Sequence, residues 1–157
     1  ETLKGLGVSQ GANDPEERLT YHAYDEKGNI TEVSKKDGIH VVYIWGYDKT
    51  LPIAKIENAT YTEVSGLAAS VQFLSNSDND SASEATLRQA LNNLRVALPN
   101  AMITTFTYNP LVGVTSITDP KGYTMYYEYD SFNRLERVKD QDGNILSENQ
   151  YHYQTQN

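Results

Sequence analysis

Metal or acid–base chemistry in this chain would fall first to His22, His40 and His152, because the sequence contains no cysteine. A histidine site requires imidazoles that converge with one another or with carboxylates, and these three stand in separate strand-like stretches beside aromatic residues. They read as structural or surface histidines. Asp78-Asn79-Asp80 opens like a calcium loop but lacks its glycine and its spaced terminal glutamate, so it reads as a solvated link. Gly5-Leu6-Gly7-Val8-Ser9-Gln10-Gly11 follows no strand pattern and has the wrong spacing for a phosphate cradle. There is no Gly-x-Ser-x-Gly elbow, no thiol nucleophile and no paired carboxylates on a recognisable scaffold. The residues therefore argue against a hydrolase, or any enzyme, and call for no metal and no cofactor.

Aromatic rings are the residues best suited to recognition. Trp45, Tyr43, Tyr47, Tyr127 and Tyr151 are the candidate ligand-binding set, with Tyr126 and Tyr153 beside them. Ring faces stack on sugars while neighbouring Asp, Asn or Gln side chains bind hydroxyls, so a glycan is the ligand this set would suit. The competing reading makes the same rings the core of a sheet that has few aliphatic residues.

A repeat must position these rings. Aligning the chain on Tyr24, Tyr47, Tyr108 and Tyr129 places an aliphatic residue six positions later in every copy, at Ile30, Ile53, Val114 and Leu135. Nine positions later stand Val33, Ile56, Ile117 and Val138, and fourteen later Gly38, Gly122 and Gly143, with Tyr61 breaking the rule in the second copy. Asp37-Gly38 and Asp142-Gly143 lie between apolar runs, where glycine supplies the positive φ of a tight turn. Each copy therefore reads as a β-hairpin. The outgoing strands are expected at 28–35, 114–119 and 134–140, and the returning strands at 39–47, 123–129 and 145–153. Ile39, Val41, Tyr43, Trp45 and Tyr47 share one parity, as do Tyr123, Met125, Tyr127 and Tyr129, and that face is expected to be buried. The aliphatic pair in each outgoing strand is three apart, which calls either for a bulge or for cover on both faces.

The second interval is 61 residues, against 23 and 21 for the others. Residues 47–56 supply an outgoing strand and 102–108 its return, with an insertion over 59–100 in place of the turn. Within it Val64, Leu67, Ala68, Val71 and Leu74, then Leu87, Leu91, Leu94 and Leu98, follow helical spacing. Ser81 with Glu84 fits a capping box, and Pro99-Asn100 ends the second helix. The fold class expected is mainly β with an α insertion: an antiparallel sheet of hairpins with a helical hairpin across one face. Residues 1–18 read as a flexible lead-in and 19–157 as a single domain.

Composition narrows the partners. Of 157 residues 38% are hydrophobic and 12 are Tyr, which suits a thin sheet whose rings bury while their hydroxyls stay wet. A net charge of −8 without a basic cluster repels phosphate backbones and anionic membranes, so nucleic acid is excluded as a partner. No apolar run approaches the roughly 20 residues of a membrane-crossing helix, so membrane insertion is not expected.

Tyr24-Asp25-Glu26-Lys27-Gly28-Asn29-Ile30-Thr31-Glu32-Val33 and Tyr129-Asp130-Ser131-Phe132-Asn133-Arg134-Leu135-Glu136-Arg137-Val138 resemble the YD repeats of RHS-type bacterial surface and secreted proteins. The resemblance covers about residues 19–153. Asn133 departs from it where glycine is favoured, Asn109 replaces Asp, and the second copy lacks its turn glycine. It implies a spiral of hairpins and a non-catalytic scaffold role in a larger cell-surface or secreted protein. Its partners would be neighbouring repeats, and a glycan, since carbohydrate binding is associated with the family. The chain opens on a returning strand, 19–24, without an evident outgoing partner, and another unit is expected to begin at Tyr153. Homo-oligomers through open sheet edges are expected.

Overall fold

The computed structural model describes residues 19–151. Nine strands run β1 Thr20–Tyr24, β2 Ile30–Ser34, β3 His40–Gly46, β4 Leu51–Glu57, β5 Met102–Asn109, β6 Gly113–Thr118, β7 Thr124–Tyr129, β8 Leu135–Lys139 and β9 Ile145–Glu148, with helices α1 Tyr61–Asn76 and α2 Ser81–Ala97 between β4 and β5. The strands form one sheet in sequence order, antiparallel at every seam. The hairpins and the helical insertion expected from the repeat are present. The lead-in expected over 1–18, together with His152 and Tyr153, lies outside the described residues.

Both helices lie on one face of the sheet. Val64 and Val71 of α1 and Leu87, Leu91 and Leu94 of α2 pack on Val42, Ile44, Ala54, Ile56 and Ile103, all buried. Each fully buried Leu or Ile contributes about 1.5–3 kcal/mol relative to exposure. The helices start on reciprocal caps. Thr60 and Glu63 cap α1, while α2 is capped by Asp80 and Ser83, one residue ahead of the expected Ser81 and Glu84. Asp80 wins because its carboxylate accepts from the Ser83 amide at 2.7 Å while the Ser83 hydroxyl returns to the Asp80 amide at 2.9 Å. Glu32 of β2 ties α1 to the sheet: one carboxylate oxygen accepts from the Tyr61 amide at the helix start and the other lies 3.0 Å from His40 Nδ1.

The face expected to be buried is corrected. The helices cover the opposite parity of β3, so the face shared by Val41, Tyr43 and Trp45 looks outward. Val33 and Val41 are buried there, but Tyr123 and Met125 are 59% and 38% exposed. The register accounts for this. Tyr47, Asp48 and Lys49 all have positive φ, at 50°, 57° and 60°, and this turn has an even number of residues, four, where its counterparts have five or three. A slip of one residue exchanges the two faces of a strand. Consequently Ile53 and Ile56 turn beneath the helices, and Lys55, paired with Tyr43, faces outward.

Bulges resolve the three-residue spacing of the aliphatic pairs. An extra residue stands in each outgoing strand: Thr31, Ile53, Thr115 and Glu136. In three copies this returns both aliphatics to the outer face.

Toward β6 and β7 the helix-side face changes from aliphatic to hydroxylated. Thr105, Thr107, Ser116, Thr118 and Thr124 are buried, and Thr118 Oγ1 lies 2.8 Å from Thr124 Oγ1. Two arginines of α2, seven residues apart, cover them. Arg88 Nε donates to Ser116 Oγ at 3.1 Å with its guanidinium 4.9 Å from the Tyr126 ring centre. Arg95 donates from one terminal nitrogen to the carbonyls of Ile103, Thr118 and Asp119 at 2.9–3.2 Å.

Candidate functional site

In two of the three Tyr-Asp pairs the aspartate builds a turn. Asp25 Oδ1 accepts from the amides of Lys27 and Asn29, both at 2.9 Å, while the Gly28 amide donates to the Asp25 carbonyl at 3.0 Å. The same bonds recur at Asp130 and, in the tip turns, at Asp119 and Asp140. The fourth residue has positive φ in each: Gly28, Gly122, Asn133 and Gly143. Asparagine tolerates that region better than other residues with a side chain, which explains how Asn133 replaces glycine. Hydrogen bonds from the Asn144 side chain and amide hold the Asp140 carboxyl below its ordinary value. At Asp25 and Asp130 burial opposes ionisation but is outweighed by such bonds, and both pKa values are lowered.

Three tyrosines at the ends of returning strands are clasps. Tyr108, Tyr129 and Tyr151 donate their hydroxyls to the carbonyls of Pro52, Val114 and Leu135 at 2.7, 2.7 and 2.8 Å. Val114 and Leu135 are the residues six positions after the preceding repeat tyrosine, and Pro52 takes that place in the slipped second copy. Each bond joins the returning strand to the start of its outgoing partner, closing the hairpin at the end away from its tip. Tyr151 makes this bond at the end of the last described hairpin, while the unit expected to begin at Tyr153 lies outside the described residues.

Tyr47 is the exception. Its left-handed turn carries the ring to the helix side, where its hydroxyl donates to Asp78 Oδ2 at 2.6 Å and accepts from the Tyr108 amide at 2.8 Å. The Tyr108 ring meets it edge-on, centres 5.6 Å apart. Burial and the Asp78 carboxylate raise the Tyr47 pKa, and burial raises that of Asp78. Asp78 is thus a partly buried anchor, not a solvated link residue. Ser75 Oγ accepts from the Tyr47 amide, Asn76 Oδ1 from the Asp48 amide, and Lys27 and Asn29 donate to the Asp48 and Lys49 carbonyls. With Tyr47 diverted, the carbonyl of Ile30 takes the Trp45 indole N–H instead, at 2.8 Å.

Of the five candidate rings, Tyr43 and Trp45 come together. Both rings project from the outer face of β3, whereas the cleft of about 280 Å³ between α1 and the first strands runs along residues 42–45 of β3 and is otherwise lined by Tyr24, Tyr61, Lys49 and Gln72. Tyr127 lies on β7, four strands from Tyr43 and roughly 19 Å away at the usual strand spacing. Tyr47 is buried on the helix side, and Tyr151 has the Arg134 guanidinium 3.9 Å above its ring. His22 and His40 do approach each other across β2, stacked with centres 4.9 Å apart, and His22 Nε2 lies 2.8 Å from Ser34 Oγ. Among the described residues no three His, Cys, Asp or Glu side chains form a metal-binding group. Sequence reasoning found Tyr108 and Tyr129 as repeat positions, but not Tyr151 as a third nor the carbonyl partners of any; the recurring six-residue offset was the available signal.

The fold and these clasps define a hairpin-repeat β protein with a helical insertion. No family model matches the chain, and no curated protein matches it significantly.

Proposed function

We propose that the chain is a non-catalytic structural module, a stretch of YD-type hairpins in a larger surface or secreted protein of RHS type. The observation that supports this most is the recurrence of one bond, tyrosine hydroxyl to the carbonyl at a fixed repeat position, in successive hairpins. The bonding capacity of the repeat tyrosines and aspartates goes into closing hairpins and shaping turns. Neighbouring repeats would be the module's partners, since each unit buries its surface against the next. Glycan-array binding and thermal melts of the parent and of Tyr129→Phe test the proposal together. A scaffold loses stability in the variant and binds no glycan; saturable glycan binding by the parent would overturn it.

A second reading, carbohydrate binding, rests on Tyr43 and Trp45, whose rings share the outer face of β3. It predicts binding lost in Tyr43→Ala without loss of fold, and is rejected if binding is absent or indifferent to that change.

A further inference from the structure

The cleft of about 280 Å³ between α1 and the first strands contains a hydroxyl that the fold leaves unpaired. Thr31 is the bulge residue of β2, and its counterparts Ile53 and Thr115 both turn toward the helices: Ile53 enters the core beneath them, and the Thr115 hydroxyl donates to Glu84 of α2 and lies 2.8 Å from Thr107 Oγ1. The Thr31 hydroxyl has no partner among the described residues, although the residue is only 8% exposed. Buried hydroxyls are almost always hydrogen-bonded, and this one borders the cleft.

The remaining walls define what could bind there. Val42 and Ile44 of β3 and Val64 of α1 form an apolar floor, and the side chains of Ala68 and Ala69 on α1 are too short to fill the space. The charged groups of the lining are already engaged: Lys49 pairs with Glu26, and Asp25 accepts from the amides of its own turn. An ion would therefore meet no free counter-charge, and a molecule rich in hydroxyls would leave most of them unpaired against the floor. The volume lies at the lower limit of ordinary ligand sites, roughly 300–1,000 Å³, and admits a single ring. We propose that this cleft binds a neutral, ring-sized molecule with one hydroxyl, a simple phenol, its ring on the apolar floor and its hydroxyl hydrogen-bonded to Thr31. The site is independent of the scaffold reading, and the rings of Tyr43 and Trp45 project from the other side of β3.

Titration of the isotope-labelled full chain with p-cresol, followed by amide chemical shifts, tests it. The expected result is saturable shifts at Thr31, Ala68 and Ala69 with a dissociation constant on the order of 1 mM. Thr31→Val, which removes the hydroxyl and keeps the side chain's shape, weakens binding about five- to tenfold. Ala69→Leu, at an exposed position of the lining, abolishes it. Toluene, which lacks the hydroxyl, binds the parent as weakly as p-cresol binds Thr31→Val and is indifferent to that substitution. Circular dichroism establishes that each variant is folded. A parent without saturable shifts, as would follow if another part of the chain filled the cleft, overturns the proposal. So does p-cresol binding that Thr31→Val and Ala69→Leu leave unchanged. Neither result touches the scaffold reading, which falls only on glycan binding.

Discussion

The hydroxyl of Tyr129 reaches over Gly113 to the carbonyl of Val114, 2.7 Å away, and a Cβ at position 113 would itself stand 2.7 Å from that hydroxyl. The glycine exists, in physical terms, to let the tyrosine pass. Gly113→Ala should push the ring end aside and break the bond, costing about 1 kcal/mol, and Tyr129→Phe should cost about the same. Because both remove one interaction, the double variant should lose less than the two single losses added. Urea denaturation of the four proteins measures this; strict additivity would show that the clasp is not the shared element.

Tyr47 should matter more than its counterparts. Tyr129→Phe strands one partly exposed carbonyl that water can reach, whereas Tyr47→Phe leaves the partly buried Asp78 carboxylate with only the Ser83 hydroxyl as donor and the Tyr108 amide without its acceptor. Losing a hydrogen bond to a charged group and leaving an amide unpaired together cost about 2–3 kcal/mol. Thermal melts should therefore place Tyr47→Phe well below Tyr129→Phe, and equal losses would contradict the anchor role given to Asp78.

Hairpins, strand ends and inserted helices were legible because each leaves a local signature: Asp-Gly turns, alternating parity, and the leucine spacing 87, 91, 94. What was not legible depended on pairing between distant residues. The buried face was misread because parity within β3 does not say which side the helices take, and the slip at Tyr47 that sends Ile53 and Ile56 beneath them follows from three left-handed residues that no glycine announces. Likewise His22 and His40 seemed separate in sequence, yet β1 and β3 flank the same strand.

The left-handed turn at Tyr47, Asp48 and Lys49 holds strain that can be removed. A residue with a side chain pays about 1–2 kcal/mol for this conformation, and glycine adopts it freely. The Asp48 backbone is held at both ends, by Asn76 and Lys27, so Asp48→Gly should keep the turn and relieve it. After the extra freedom glycine gives the unfolded chain is subtracted, a net gain of about 0.5–1 kcal/mol is expected, seen as a higher melting temperature. A lower one would mean that the Asp48 carboxylate contributes more than the strain costs.

Acid should weaken the turns. Asp25, Asp130 and Asp140 have folded pKa values below their ordinary 3.8. As pH falls through 3.8, the unfolded chain takes up protons at these positions while the folded chain does not, so stability falls with pH and the contribution is gone once the folded groups also protonate. Asp78 runs the other way: its raised pKa means that the folded state takes its proton first, which partly offsets the loss just above pH 3.8. Urea midpoints measured from pH 6 to pH 2.5 should therefore fall mainly below pH 4. Asp140→Asn should flatten that fall, because an amide oxygen still accepts the Asp142 and Asn144 amides but does not titrate. An unchanged slope in that variant would remove the turn aspartates as the origin of the acid sensitivity.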